Sequence, residues 1–231
     1  MTRRGKQRLF TDRLGIQAEV EAAEWCWIDK IPQPPADVLT ATPRLRPARM
    51  RPLGMVGAVL GAPFIPVIAF FELLAKMEAA VMRSLDTKEE KERWQAKKDD
   101  EKRRDATIAQ QGLDKVFDGN WGADAGQFLL RWYSHSTHHQ RLLLATEDGI
   151  VLAAPPQRVS VGREKHMQIV ARLSATEATL VDPFSGEFET RMLLIRFRDG
   201  SWLRVETEEL RSELHMYALR HPLADGSRPD S

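Results

Sequence analysis

Three histidines within five residues, His135, His138 and His139, form the densest group of chemically competent side chains in the sequence. Imidazole is a good ligand for zinc, nickel or copper. Residues 133–146 supply no cysteine and no carboxylate to complete a coordination sphere. A solvated turn is therefore the expectation, and a metal site serving a metal-dependent enzyme is the lesser alternative. Such a turn would gain charge at about pH 6–6.5 and attract anions in acid. The single cysteine, Cys26, stands between Trp25 and Trp27 with Glu24 and Asp29 nearby, surroundings that raise a thiol pKa and suit a packed core residue. One cysteine also excludes an intramolecular disulfide and any CxxC metal site. The motifs GxGxxG, GxSxG, HExxH and the P-loop are absent, and Asp148 precedes Gly149 in a turn where the pair serves the backbone. No catalytic residue and no cofactor are nominated.

The elements that would position these groups follow from composition and periodicity. The chain has 231 residues and a net charge of +1, which gives no global field for nucleic acid, and 42% hydrophobic residues, which suits a folded chain. The sum hides an asymmetry: residues 1–51 carry ten bases and six acids, whereas residues 106–231 carry 14 bases and 17 acids. The start of the chain has no apolar h-region, so a cytoplasmic N-terminus is expected. Ile16, Val20, Ala23, Trp27 and Ile31 recur at helical spacing, predicting an amphipathic helix within residues 1–31 that ends at Pro32. Residues 32–51, rich in proline and arginine, read as an extended linker.

Residues 52–71, PLGMVGAVLGAPFIPVIAFF, form an uncharged run of 20. That is about the length needed to cross a hydrocarbon core roughly 30 Å thick. Pro63 and Pro66 interrupt it, so a kinked span and a re-entrant hairpin both fit, and a hairpin buried in protein is the alternative. Phe64, Ile65, Ile68, Phe70 and Phe71 are the expected lipid-facing residues, and Gly57 and Gly61 form a GxxxG helix-packing pair that would also suit a homo-oligomer. Arg44, Arg46, Arg49 and Arg51 precede the run, placing that side in the cytoplasm against an anionic leaflet. The C-terminal half stays in the cytoplasm only if the segment re-enters. Phe70, Leu74, Met77, Val81 and Leu85 continue as an amphipathic helix that completes residues 52–85.

Residues 86–105 pack eight acids and eight bases, with Lys88/Glu92, Glu89/Arg93, Asp99/Arg103 and Asp100/Arg104 at i,i+4. A solvent-exposed helical stalk over 86–121 is predicted. Beyond it the period becomes extended, with strands expected at 128–133, 141–146, 150–154, 168–173, 179–182, 188–193, 194–198 and 202–206. A final helix is expected from Glu208 to Arg220 after a Thr207 cap, followed by a disordered tail over 222–231. The fold class expected is α+β: N-terminal helices with a membrane-type segment and a long charged helix, then a small antiparallel barrel or sandwich capped by a helix.

RLLLATEDGIVLAA, IRFRDGSWLRVE and the last helix together resemble the bacterial pleckstrin-homology-like domains, including GRAM-type variants, over residues 122–221. The resemblance implies two orthogonal sheets closed by a C-terminal helix, and a lipid- or protein-binding scaffold without a catalytic centre. Family members that bind phosphoinositides usually carry a basic cluster in the first hairpin loop, where this chain has SHSTHHQ. The expected whole is a membrane-associated, non-enzymatic tether that recruits a protein partner. The alternative is a soluble subunit of a larger assembly with residues 52–85 buried at an interface.

Overall fold

The computed structural model describes residues 14–41 except 30 and 33, and residues 88–222 except 135, 137, 158, 160 and 161. The elements run β1 (Val20–Trp27), α1 (Ala36–Ala41), α2 (Lys88–Gln110), α3 (Asp124–Ser134), β2 (Arg141–Thr146), β3 (Gly149–Ala154), a 3-10 turn (Arg163–His166), β4 (Gln168–Ser174), β5 (Ala178–Val181), β6 (Met192–Phe197), β7 (Trp202–Thr207) and α4 (Glu213–Arg220). The architecture is α+β, built on one seven-stranded antiparallel sheet in the order β4-β3-β2-β1-β7-β6-β5.

Strand order and loop length together force this sheet to curl. Strands β4 and β5 stand at opposite edges, yet only residues 175–177 connect them. A flat sheet of this size would be roughly 29 Å wide at about 4.8 Å per strand. The connection reaches at most about 14 Å. The two halves therefore fold toward each other, and β3 comes into contact with β5. They are joined along a short seam, because β1 pairs with β7 only at Cys26↔Thr207 and Trp27↔Glu206. Residues 113–117 extend that seam: Arg204 N–H donates to Val116 O at 2.7 Å, and Phe117 bridges Leu203. Helix α3 packs on β4, β6 and β7, and α4 on β1, β2 and β5. Phe128, Leu129 and Trp132 of α3 and Leu214 and Ala218 of α4 join the core inside the curl.

Several expectations are corrected here. Residues 20–27 form a central strand rather than part of an amphipathic helix, so the β unit draws β1 from far upstream of residue 122. Both faces of β1 are covered: Ala22 and Cys26 face the inner core, while Val20 and Trp25 join Leu14, Ile16, Leu142, Leu144, Val151 and Ala153 on the outer face. A strand buried on both sides loses the alternation that marks strands, and its apolar spacing then imitates a helix. Residues 128–133 are helical, not extended. Ala125, Phe128, Leu129 and Trp132 fall on one helical stripe, and the helix start is capped from afar. Asp124 N–H donates to Asp199 Oδ2 at 2.8 Å and Ala125 N–H to Ser201 Oγ at 3.0 Å. Burial alone would push the Asp199 carboxyl up, but the N–H and hydroxyl donors around it win and hold it low.

The two strands expected over 188–198 are a single strand, β6. Helix α4 begins only at Glu213 after Ser212, because Thr207 ends β7 with its hydroxyl bonded to Arg191 O and Glu209 O. Leu210, which falls inside the helix expected from Glu208, lies before α4 and is 54% exposed. Residues 36–41 are a short helix inside the expected linker.

Helix α2 belongs to a separate unit, Arg49–Gln111, and none of its residues is buried. Its ion pairs include Lys88–Glu92 at 3.9 Å and Lys102–Asp99 at 3.4 Å; Asp100 pairs with Arg103 at i,i+3 rather than with Arg104 at i,i+4. The apolar run 52–71, its flanking arginines, and Gly57 and Gly61 lie outside the described residues. Among the described residues no helix is long and apolar enough to cross a membrane.

Strands β3 and β4 approach closely at Gly149, whose φ is +138° and whose added Cβ would lie 2.2 Å from Leu173 O. Gly149→Ala is expected to cost about 1–3 kcal/mol through strain and strand displacement. A thermal or urea midpoint that does not move would refute this.

Candidate functional site

The histidine turn lies where β1 ends and β2 begins, and its shape is set by Arg141. This side chain is 1% exposed at the first position of an otherwise apolar strand. Its Nη2 donates to Trp132 O at 2.7 Å and Ser136 O at 3.0 Å, and its Nη1 donates to Gln140 O at 3.0 Å and to His138 O. Four carbonyls of one turn thus converge on one guanidinium, which also lies 5.6 Å from the Trp132 ring centre. Ser136 Oγ donates to Pro155 O and accepts the His138 N–H at 2.9 Å, fastening the turn to the end of β3.

His138 is 4% exposed, and His139 stacks on it at 5.0 Å from the solvent side. Its Nδ1 lies 3.1 Å from the Gln140 amide and 3.0 Å from the Gln140 carbonyl, so the tautomer decides which of the two it bonds. Burial, reinforced by Arg141 and Arg163, pushes His138 below the usual imidazole range despite its backbone bonds. This corrects the expectation of a freely solvated turn charging together in mild acid. His135 lies outside the described residues. Among the described residues no three His, Cys, Asp or Glu side chains are grouped so as to hold a metal ion.

Beside the turn, the Arg163 guanidinium lies 3.8 Å from the Trp25 ring centre and donates to Gln140 Oε1 and, at 3.3 Å, to Glu208 Oε2. Cys26, on the inner face of β1, is fully buried and donates its S–H to Arg141 O at 3.4 Å. Burial pushes its thiol up, with Glu24 adding to the effect, as expected of a packed core thiol. Glu24 is half-buried, and burial raises its carboxyl from 4.5 to about 7, helped by Glu209, Glu208 and Glu213 and opposed by the Trp25 N–H at 3.1 Å.

The second histidine held inside the fold is His215 on α4. Its Nε2 donates to Met192 O at 3.0 Å, which leaves Nδ1 to accept the Ser212 hydroxyl at 3.0 Å. Burial lowers its pKa, Arg211 contributes in the same direction, and the Met192 bond and Asp182 oppose. The unfolded chain therefore binds this proton first, and the stability His215 contributes is present above about pH 6.5 and lost below it. His215→Gln is expected to flatten the fall of the urea midpoint between pH 6.5 and 5 relative to the native chain. An unchanged slope would exclude His215 as its source.

A cleft of about 430 Å³ opens at the other end of the sheet, between Gly15–Ala18 and the β2–β3 turn. Arg172, Asp148 and Glu177 are all among its lining residues, a mixed set of charges that favours neither sign of ligand.

Sequence reasoning named His138, His139 and Cys26 but missed Arg141, Arg163, Glu24 and His215 as organising residues. Arg141 alone left a trace, as a charge opening a buried strand. Compared with protein-family models, with curated proteins and with solved structures, the chain matches none.

Proposed function

We propose that this protein is a non-enzymatic tether in which the apolar segment 52–71 and the arginines before it fix the chain to an anionic membrane face, while a PH-like β domain recruits a protein partner. The observation that carries the reading is the strand order β4-β3-β2-β1-β7-β6-β5, curled on itself and packed by the C-terminal helix α4. A curled antiparallel sheet with a helix packed on it supports a PH-like reading, while the resemblance implied two orthogonal sheets within residues 122–221 and the observed sheet is one and takes β1 from residues 20–27. Three polar groups serve the fold itself: Arg141 gathers backbone carbonyls, Asp199 caps α3, and His215 ties α4 to β6. Leu210 and Met216, 54% and 50% exposed, supply apolar contact area on and beside α4 for a partner.

The test is membrane fractionation of the full chain followed by an alkaline carbonate wash, beside a deletion of residues 52–71. Carbonate-resistant retention that disappears with the deletion is the expected result. Recovery of the full chain in the soluble fraction would overturn the tether and leave the apolar run as a core or subunit interface. Protease accessibility of the β domain in sealed vesicles then separates a span from a re-entrant hairpin.

A further inference from the structure

The cleft between Gly15–Ala18 and the β2–β3 turn has its charges sorted by position. Its apolar lining comes from Ile16 and Val151, which share a cluster with Leu144 on the outer face of the sheet, and from Ile150 and Leu173. Strand register orders the charged residues. Arg172 stands opposite Val151 in the β3–β4 ladder and Ser174 opposite Gly149, so Asp148 lies three steps nearer the turns than Arg172. At about 3.3 Å per step, that puts roughly 10 Å of ladder between the two. Glu177 joins Asp148 at the turn end, where its carboxylate accepts the Ser174 N–H at 2.7 Å and the Ser174 hydroxyl at 2.8 Å, bonds that hold its pKa low. One end of the cleft is therefore cationic and the other anionic. The polar groups also differ in what they leave free. Thr146 Oγ1 donates to Gly149 O at 3.0 Å and serves the turn. The exposed side chains of Arg172 and Asp148 form no hydrogen bond or ion pair among the described residues.

We propose that this cleft binds a short apolar dipeptide with free termini, its carboxylate on Arg172 and its ammonium group against Asp148 and Glu177. The inference stands apart from the membrane reading, since every residue it uses belongs to the β unit. The volume of about 430 Å³ falls in the range of about 300–1,000 Å³ for small-molecule sites. Charges of both signs disfavour a ligand of either net sign, but charges sorted to opposite ends fit a ligand that carries both. Two extended residues span about 7 Å, and the Arg172 side chain makes up the rest of the separation. A guanidinium pairs with a carboxylate through two parallel N–H donors, and the apolar lining between the ends takes the ligand's side chains.

The test is calorimetric titration of the full-length protein with valyl-valine, with N-acetyl-valyl-valine, which lacks the ammonium group, and with valyl-valine amide, which lacks the carboxylate. Valyl-valine is expected to saturate one site with a dissociation constant on the order of 1 mM, as suits two exposed charge pairs. Each blocked peptide on the native chain, and valyl-valine on Arg172→Gln or Asp148→Asn, is expected to bind at least about threefold more weakly. Both substitutions fall at exposed positions, and asparagine before Gly149 suits the turn as well as aspartate does. A crossed measurement reads which end is which: Arg172→Gln should no longer distinguish valyl-valine from its amide, while Asp148→Asn still does. No saturable binding up to about 10 mM, blocked peptides that bind as well as the free one, or variants that bind it unchanged would overturn the proposal.

Discussion

Replacing Arg141 with methionine is expected to destabilise the protein by about 3–5 kcal/mol, read as a drop in the urea midpoint with an unchanged slope. Methionine retains much of the stem's volume but removes every donor, so the cost is chiefly one of polarity. Trp132 O, Ser136 O, His138 O and Gln140 O all lose their guanidinium partner. A buried acceptor left without a donor costs about 1–3 kcal/mol, and some of the four regain water as the turn relaxes. Arg141→Lys is expected to recover only part of the loss, since an ammonium is a point donor and cannot span carbonyls on both sides of a planar fork. A methionine variant within about 1 kcal/mol of the native chain would show that the turn holds its shape without Arg141.

Trp132→Ala is expected to cost about 3–5 kcal/mol, the range for a large aromatic removed from a packed core. The side chain is fully buried, meets Phe128 edge-on at 6.3 Å and lies under the Arg141 guanidinium. Helix α3 is anchored to β4, β6 and β7 chiefly through this stripe, so the cavity would open where the curled edges of the sheet come together. Trp132→Phe should cost less than half as much, because most of the ring area remains. Since Arg141 bonds the Trp132 carbonyl and lies against its ring, the double variant Arg141→Met/Trp132→Ala should depart from additivity by about 0.5–3 kcal/mol. Additive effects, measured by urea unfolding of the four proteins, would mean that the turn and α3 are energetically separate.

Both positions explain why the candidate site was only partly legible from residues alone. The histidine cluster was visible as composition, but whether His138 titrates freely depends on burial that Arg141 and the β1–β2 edge create. Glu24 read only as a neighbour of Cys26, because its raised carboxyl comes from burial in the folded sheet, with Glu209, Glu208 and Glu213 of the distant β7–α4 region adding to it. His215 looked like one more residue of an amphipathic helix, and its role appears only when Met192 of β6 is brought to it.

Local pattern determined a good deal. β2, β4 and β7 fall within one residue of the expected ends, as does the opening of β3 at the Asp148-Gly149 turn, because short apolar or alternating runs bounded by turn residues a few positions apart specify hairpins. The charged helix followed from its i,i+4 pairs, although two of the ion pairs that form in it, Lys102–Asp99 and Arg103–Asp100, are spaced i,i+3. Tertiary structure decided the rest. Residues 20–27 read as part of a helix until β2 and β7 paired with them as a strand, and residues 128–133 read as a strand until Asp199 and Ser201 capped a helix there. In each case the deciding hydrogen bonds came from partners about 75 or more positions away.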